Sequence, residues 1–156
     1  MPATPLVLYV ENNPDDVFFV QRAIQRVKPS FELKVLSTVE EAERWLAHCR
    51  TQGIKPSVIL LDLFLGATHT GTELFHWVHE HPEAGAMPVI VLSGDDDYAT
   101  VFAMYREGAQ YFLSKPFSIG KYEEIVKCLD ACLAHEPYRF DCLKRIEAYR
   151  APSVAF

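Results

Sequence analysis

The stretch Val58-Ile59-Leu60-Leu61-Asp62 is an apolar run that ends in a carboxylate. Four aliphatic residues in a row are typical of a strand that is buried on both faces, as strands of a parallel sheet are. An acid at the carboxyl end of such a strand lies where open α/β sheets place their ligand crevice. Asp62 is therefore a candidate site residue, although an isolated acid at this position more often only caps the following loop.

Three further apolar runs also end in polar side chains. Residues 6–10 precede Glu11-Asn12-Asn13, residues 88–92 precede Ser93-Gly94, and residues 111–113 precede Ser114-Lys115-Pro116. Because the carboxyl ends of parallel strands meet at one edge of the sheet, we expect these polar groups to converge on Asp62. Four runs with the same ending favour a site over a set of unrelated loop caps.

The composition limits the classes of function. The 156 residues are enough for one domain with an ordinary core, and 49% hydrophobic with 23% charged residues is a globular balance. The net charge of -6 disfavours non-specific binding to nucleic acid. No apolar run approaches the ~20 residues that span a bilayer, and residues 1–5 do not resemble a signal peptide. We therefore expect a cytoplasmic protein that binds neither membrane nor nucleic acid.

The four cysteines show no C-x-x-C spacing. Cys128 and Cys132 lie one helical turn apart, where small apolar side chains on a buried face are the simplest interpretation. In a reducing compartment we expect reduced thiols and no structural metal.

Polar residues precede four stretches with helical periodicity. The N-cap candidates are Asn12 or Asn13 before Pro14, Thr38, the triplet 95–97, and Ser118. Between them the apolar runs alternate with helical patterns, so that a strand followed by a helix recurs five times. This alternation predicts an α/β fold, with a five-stranded parallel sheet and helices on both of its faces.

The polar groups at the sheet edge have a specific chemistry. Carboxylate and amide oxygens from Glu11, Asn12 and Asp62 suit a hard cation such as Mg²⁺. The Ser93 hydroxyl and the Lys115 ammonium would bind the oxygens of a phosphoryl group. No serine, cysteine or threonine with an adjacent histidine base is apparent, so Asp62 is the predicted nucleophile and could form an aspartyl phosphate.

On these residues the chain, over roughly 6–135, resembles the receiver domain of two-component response regulators. The resemblance implies a flavodoxin-like, doubly wound sheet with strand order 2-1-3-4-5. The run from Glu11 to Asp16 is also similar to single-domain regulators that work with phytochrome-type histidine kinases. Three histidines, at positions 76, 79 and 81, are interpreted as exposed residues at a helix end rather than as metal ligands.

The resemblance assigns a role to each site residue. Asp62 would be the phosphoacceptor, assisted by Lys115 and Ser93, and Ser93 with Phe112 would form the switch. The ligands of Mg²⁺ would be Glu11, Asn12, Asp62 and the main-chain carbonyl of Phe64. The family usually has a cis peptide bond at the position of Lys115-Pro116.

One site residue departs from the family pattern, because Asn12 stands where an aspartate is usual. Loss of a charge at about 4 Å from the cation is worth at most ~4 kcal/mol at an effective dielectric constant near 20, and solvent screening reduces that further. We therefore expect weakened Mg²⁺ binding rather than none.

The resemblance implies a stand-alone signalling protein, not an enzyme except in its own phosphorylation and dephosphorylation. Its partners would be a sensor histidine kinase or phosphotransfer protein and a downstream protein bound through helix 4, strand 5 and helix 5. The alternative is a receiver-like interaction module that works without phosphorylation. A flavin-binding protein is disfavoured by Lys115 and the acidic crevice.

The C-terminal residues extend the expected receiver domain. We place the domain at residues 1–136 and an extension at 137–156. Phe140, Leu143, Ile146 and Tyr149 recur at every third residue, which indicates a short amphipathic helix. Two interpretations stay open: the extension folds back over the domain, or it forms a contact with a partner or a second copy.

Overall fold

The computed structural model describes residues 4–63, 65, 71–81 and 87–152. Strands and helices alternate through most of the chain. The strands are β1 Leu6–Val10, β2 Glu32–Leu36, β3 Val58–Leu61, β4 Val89–Ser93, β5 Tyr111–Ser114 and β6 Tyr149–Arg150. The helices are α1 Pro14–Val27, α2 Val39–Thr51, α3 Thr72–Glu80, α4 Tyr98–Glu107, α5 Ile119–Cys132 and a 3₁₀ helix at Asp141–Arg145.

The sheet has the order β2-β1-β3-β4-β5-β6. The first five strands are parallel, which confirms the flavodoxin-like α/β fold and the order 2-1-3-4-5. The sixth strand was not expected. It pairs antiparallel with β5 through Phe112 opposite Arg150 and Leu113 opposite Tyr149. A strand of two residues carries too short a pattern to be recognised in a sequence.

The predicted helix caps are present. The side chains of Asn13 and Thr38 accept hydrogen bonds from Asp15 N–H at 2.9 Å and Glu41 N–H at 3.1 Å. Asp97 and Ser118 cap α4 and α5 in the same way. Because each cap follows directly after a strand or a short loop, each helix starts beside the carboxyl edge of the sheet.

Helices cover both faces of the sheet, as predicted. Side chains alternate along each central strand, so Leu8, Ile59 and Val91 join one apolar cluster while Tyr9, Leu60 and Leu92 join the other. Every residue of β1 from Val7 to Val10 is fully buried. This two-sided burial explains the unbroken apolar runs in the sequence.

Residues 137–152 fold back onto the domain. The short amphipathic helix predicted over positions 140–149 is only partly present: a 3₁₀ helix covers Asp141–Arg145, and Tyr149 lies in β6. Phe140 and Leu143 are buried in the cluster that α5 covers. None of the helices in the described ranges is long and apolar enough to cross a membrane.

Two expectations from the sequence are wrong. Cys132 and Cys142 form a disulfide, whereas reduced thiols were predicted; Cys49 and Cys128 are free. The 3₁₀ helix brings Cys142 against the end of α5, a tertiary contact that cysteine spacing does not reveal. The peptide bond between Lys115 and Pro116 is trans, and within the described residues a cis bond occurs at Glu136-Pro137. The backbone of Lys115 is held by a hydrogen bond, in which its N–H donates to the carbonyl of Ser93 at 2.9 Å.

Gly71 gives a direct test of the packing next to Asp62. A Cβ at this position would lie 2.6 Å from the main-chain oxygen of Asp62. We expect Gly71→Ala to lower the free energy of unfolding by about 1–3 kcal/mol, because the backbone would have to move. The measurement is urea unfolding followed by circular dichroism.

The matched control is Gly120→Ala in α5, where a Cβ meets nothing within 4 Å. Alanine favours the helix by up to ~1 kcal/mol, so this variant should be as stable as the wild type or more so. Equal stability of the two variants would contradict the close approach at Gly71.

Candidate functional site

The carboxyl ends of four strands form a buried polar crevice. Glu11 follows β1, Asp62 follows β3, Ser93 ends β4 and Lys115 follows β5. Glu11, Asp62 and Ser93 are 1%, 3% and 0% exposed, and they are the buried polar residues in the described part of the chain. Buried polar groups require partners, so each of these side chains is held in place by its neighbours.

Lys115 lies among three carboxylates. Its Nζ is 2.7 Å from Glu11 Oε1, 2.7 Å from Asp16 Oδ2 and 3.4 Å from Asp62 Oδ2. Burial disfavours the charged lysine, but the hydrogen bonds to Asp16 and Glu11 outweigh it and raise the pKa of Lys115. The ammonium therefore stays charged and offsets part of the negative charge in the crevice.

Glu11 is strongly affected by this environment. Burial, followed by a hydrogen bond with Asp62, raises the pKa of Glu11 to about 7 although Lys115 acts in the opposite direction. The hydroxyl of Tyr9 donates to Glu11 Oε1 at 3.2 Å, and the N–H of Asn13 donates to Oε2 at 3.3 Å. Glu11 is thus a carboxyl group that exchanges its proton near neutral pH.

The remaining predicted residues occupy different environments. Ser93 Oγ accepts a hydrogen bond from Asp95 N–H at 3.2 Å. Asn12 is exposed. Phe112 is fully buried in the apolar cluster that includes Val101 and Met104 of α4, so it lies in the core and not in the crevice. Phe64, the predicted source of a main-chain ligand, lies outside the described residues.

Asp16 is a member of the crevice that the sequence analysis missed. It was not among the site residues, yet it holds Lys115. A signal was available: the first turn of α1 follows β1 after only three residues, so its acids must lie near the carboxyl edge of the sheet.

A second polar cluster lies next to this crevice. Ser114 Oγ donates to Asp96 Oδ2 at 2.6 Å, and Arg150 Nε donates to the same oxygen at 3.2 Å. The hydrogen bond from Ser114 leads the effects that lower the pKa of Asp96. Asp96 thus connects β5 to β6, while its neighbour Asp97 caps α4.

The donor set fits a hard divalent cation. Glu11 and Asp62 offer two buried carboxylates next to each other, and oxygen ligands of this kind are those that Mg²⁺ prefers. One ammonium group, that of Lys115, faces the three carboxyl groups of Glu11, Asp16 and Asp62, and a divalent cation would offset the remaining negative charge.

The titration of Glu11 predicts how stability depends on pH. The pKa is raised in the folded state from 4.5 to about 7, so the stabilisation is complete below about pH 4.5 and is lost as the pH rises to about 7. In EDTA we expect the free energy of unfolding to fall by on the order of 2–3 kcal/mol across this range. Glu11→Gln should remove most of this decrease, as measured by urea unfolding at several pH values.

Glu32→Gln is the control, because Glu32 is an exposed acid on the edge strand β2. It should keep the pH dependence of the wild type. A Glu11→Gln variant with an unchanged slope would show that another group titrates.

The sequence was compared with models of known protein families and with known proteins. Residues 7–127 match the model of the response regulator receiver domain. Nitrogen assimilation regulatory protein NtrX of Azorhizobium caulinodans is 35% identical over 86 residues, which are 54% of this chain and 18% of NtrX. This chain therefore matches only a small part of that relative.

Solved structures show the same fold. The phosphorylated cyanobacterial phytochrome response regulator RcpA has a TM-score of 0.71 and 25% identity, with 82% of this chain and 92% of RcpA covered. The Mn²⁺-bound form of response regulator Rcp1 has a TM-score of 0.69 and 23% identity, with 86% and 97% covered. Since the family model covers well over half of the sequence, this chain belongs to the response regulator receiver domain family.

Proposed function

We propose that Asp62 accepts a phosphoryl group from a histidine kinase or phosphotransfer protein in a Mg²⁺-dependent step. The observation that carries this proposal is the position of Lys115, whose ammonium lies 3.4 Å from Asp62 and 2.7 Å from Glu11 at the carboxyl edge of the sheet. A cation at this distance can bind an oxygen of a group transferred to Asp62. We further propose that the protein acts in the cytoplasm, where kinases obtain ATP.

The transfer requires an in-line attack by a carboxylate oxygen of Asp62 on the phosphorus of a phosphohistidine. The bond from phosphorus to the donor's histidine nitrogen breaks, and an aspartyl phosphate forms. Lys115 would exchange a carboxylate partner for a phosphoryl oxygen, and the Ser93 hydroxyl would donate to another. Such a reaction depends mainly on positioning and on neutralising charge.

Mg²⁺ bound by Glu11 and Asp62 would supply the remaining positive charge. Asn12 and the main-chain carbonyl of Phe64 complete the ligand set that we propose. Glu11 binds a cation only as the carboxylate. Its raised pKa favours the protonated form, so binding of the cation must displace a proton.

The second part of the proposal concerns the surface formed by α4, β5 and α5. Tyr105 of α4 accepts a hydrogen bond from Phe112 N–H at 3.0 Å and donates to the carbonyl of Arg150 at 2.6 Å. A movement of Ser93 and Phe112 towards the phosphoryl group would disturb this pair of bonds. Partner binding would then follow from a shift between two arrangements of the surface.

A receiver-like module that works without phosphorylation is the second candidate. It is favoured by one observation: Asp16 binds Lys115 at 2.7 Å, so the lysine already has a full set of anionic partners. In this case the crevice would be a static polar core, and treatment with a phosphodonor would leave the protein unchanged.

Substitution of Asp62 separates the two candidates. We expect the wild-type protein, incubated with Mg²⁺ and acetyl phosphate, to gain one phosphoryl group in intact-protein mass spectrometry. Asp62→Asn should gain none, because an amide is not a nucleophile. Asp15→Asn removes an exposed acid nearby and should behave as the wild type. Absence of phosphorylation in the wild type would favour the static module.

Substitution of Asn12 tests how the charge at this position affects the affinity for Mg²⁺. Asn12→Asp adds a carboxylate beside Glu11, and we expect the Mg²⁺ dissociation constant to fall by roughly 10-fold, a screened fraction of the full Coulomb attraction. The measurement is a calorimetric titration. Asn13→Asp is the control: it adds the same charge one residue later and keeps the helix cap. An equal effect of both variants would mean that Asn12 has no special position.

A further inference from the structure

Three cysteines lie together at the end of α5, away from the phosphoacceptor crevice. Cys132 and Cys142 are joined by a disulfide, and the free thiol of Cys128 lies one helical turn before Cys132. All three sulfur atoms lie within 4.8 Å of one another. Among the described residues, this is the one group of three histidine, cysteine or acidic side chains whose ligand atoms lie so near to one another.

The disulfide holds the C-terminal segment, residues 137–152, on the domain. Cys132 is the last residue of α5, and Cys142 lies in the 3₁₀ helix ten residues later. From there the chain continues to β6. Ser114 N–H donates to the carbonyl of Ala148 at 2.7 Å, so the segment covers the outer edge of β5.

The segment also makes non-covalent contacts: Tyr111 packs against Phe140 and Tyr149, and Lys121 forms an ion pair with Glu147. The 3₁₀ helix has five residues and β6 has two, and elements of this length are not stable on their own. Phe140 and Leu143 supply the buried apolar contacts. Arg150 adds hydrogen bonds to Asp96 and, through its carbonyl, to Tyr105. The covalent bond adds to these non-covalent contacts in keeping β6 on the sheet.

We propose that Cys128, Cys132 and Cys142 form a thiol–disulfide exchange site, at which a dithiol reductant opens the Cys132–Cys142 bond and frees the C-terminal segment from the edge of β5. A thiolate of the reductant attacks one sulfur, the disulfide bond breaks, and the departing sulfur keeps the electron pair and takes up a proton. The second thiol of the reductant resolves the mixed disulfide. Both cysteines end as thiols, and the reductant ends as a disulfide.

Cys128 gives the site an internal reaction as well. Its thiolate can attack Cys142, which forms a Cys128–Cys142 disulfide and releases Cys132 as a thiol without any outside reagent. Burial raises the pKa of the Cys128 thiol, although Arg145 acts against this. Little thiolate is present at neutral pH, so this exchange is slow until the site opens.

The size of the effect follows from loop closure. A disulfide that closes a loop of about ten residues shifts the equilibrium towards the closed form by roughly 100-fold. Reduction should raise the population of the detached segment by up to this factor. The edge of β5 belongs to the surface that we propose for partner binding. An effect of reduction on signalling therefore rests on the proposed function. The thiol–disulfide chemistry itself does not depend on that function.

The first test counts thiols in the full chain. Protein purified without reductant is denatured and alkylated in EDTA, and the labelled cysteines are mapped by mass spectrometry. We expect Cys49 and Cys128 to be labelled before treatment with dithiothreitol and all four cysteines afterwards. Labelling of all four before reduction, even after incubation with oxidised dithiothreitol, would overturn the proposal. So would one tightly bound Zn²⁺ per chain, measured in the native protein before EDTA is added.

The second test measures amide hydrogen exchange at Ser114, whose N–H is covered by the segment. Reduction should accelerate this exchange by about 10- to 100-fold. Cys142→Ser should exchange rapidly with or without reductant. Cys49→Ser, which removes a buried thiol in α2, should respond as the wild type does. An equal rate before and after reduction would overturn the proposal, and neither test depends on phosphorylation of Asp62.

Discussion

The attraction between one ammonium group and three carboxylates organises this molecule. Lys115 reaches Glu11, Asp16 and Asp62, which come from β1, α1 and β3, and it does so from the end of β5. Placing these acids side by side in a buried crevice is unfavourable without a cation. The lysine makes the arrangement possible, and the parallel sheet makes it unavoidable, because β1, β3 and β5 end and α1 begins at the same edge.

Much of the fold could be predicted because its signals are local. The sequence of residues 58–62 predicts a buried strand with an acid at its end. In the structure these residues form β3, followed by Asp62. The caps at Asn13, Thr38 and Ser118 are equally local, since each side chain bonds to a backbone amide two or three residues later. Patterns of this kind depend on short-range geometry alone.

The features that were missed are all tertiary. Asp16 was not predicted as a site residue because its partner, Lys115, is 99 residues away in the sequence. Cys132 and Cys142 meet only because the 3₁₀ helix packs on α5, and β6 exists only because β5 offers unpaired backbone groups. Phe112, which stays a predicted switch residue, lies in the core under α4.

The presence of β6 also changes how the sheet ends. In the order observed, β5 would be the last strand, and its free N–H and C=O groups would be open to any extended chain. With β6 in place, the longer edge that remains is that of β2, on which Glu32 and Lys34 carry charges. Charged side chains on an edge strand discourage unwanted pairing between molecules. The strand β6 thus protects an apolar edge, and a protein shortened before Tyr149 would expose β5 and be prone to self-association.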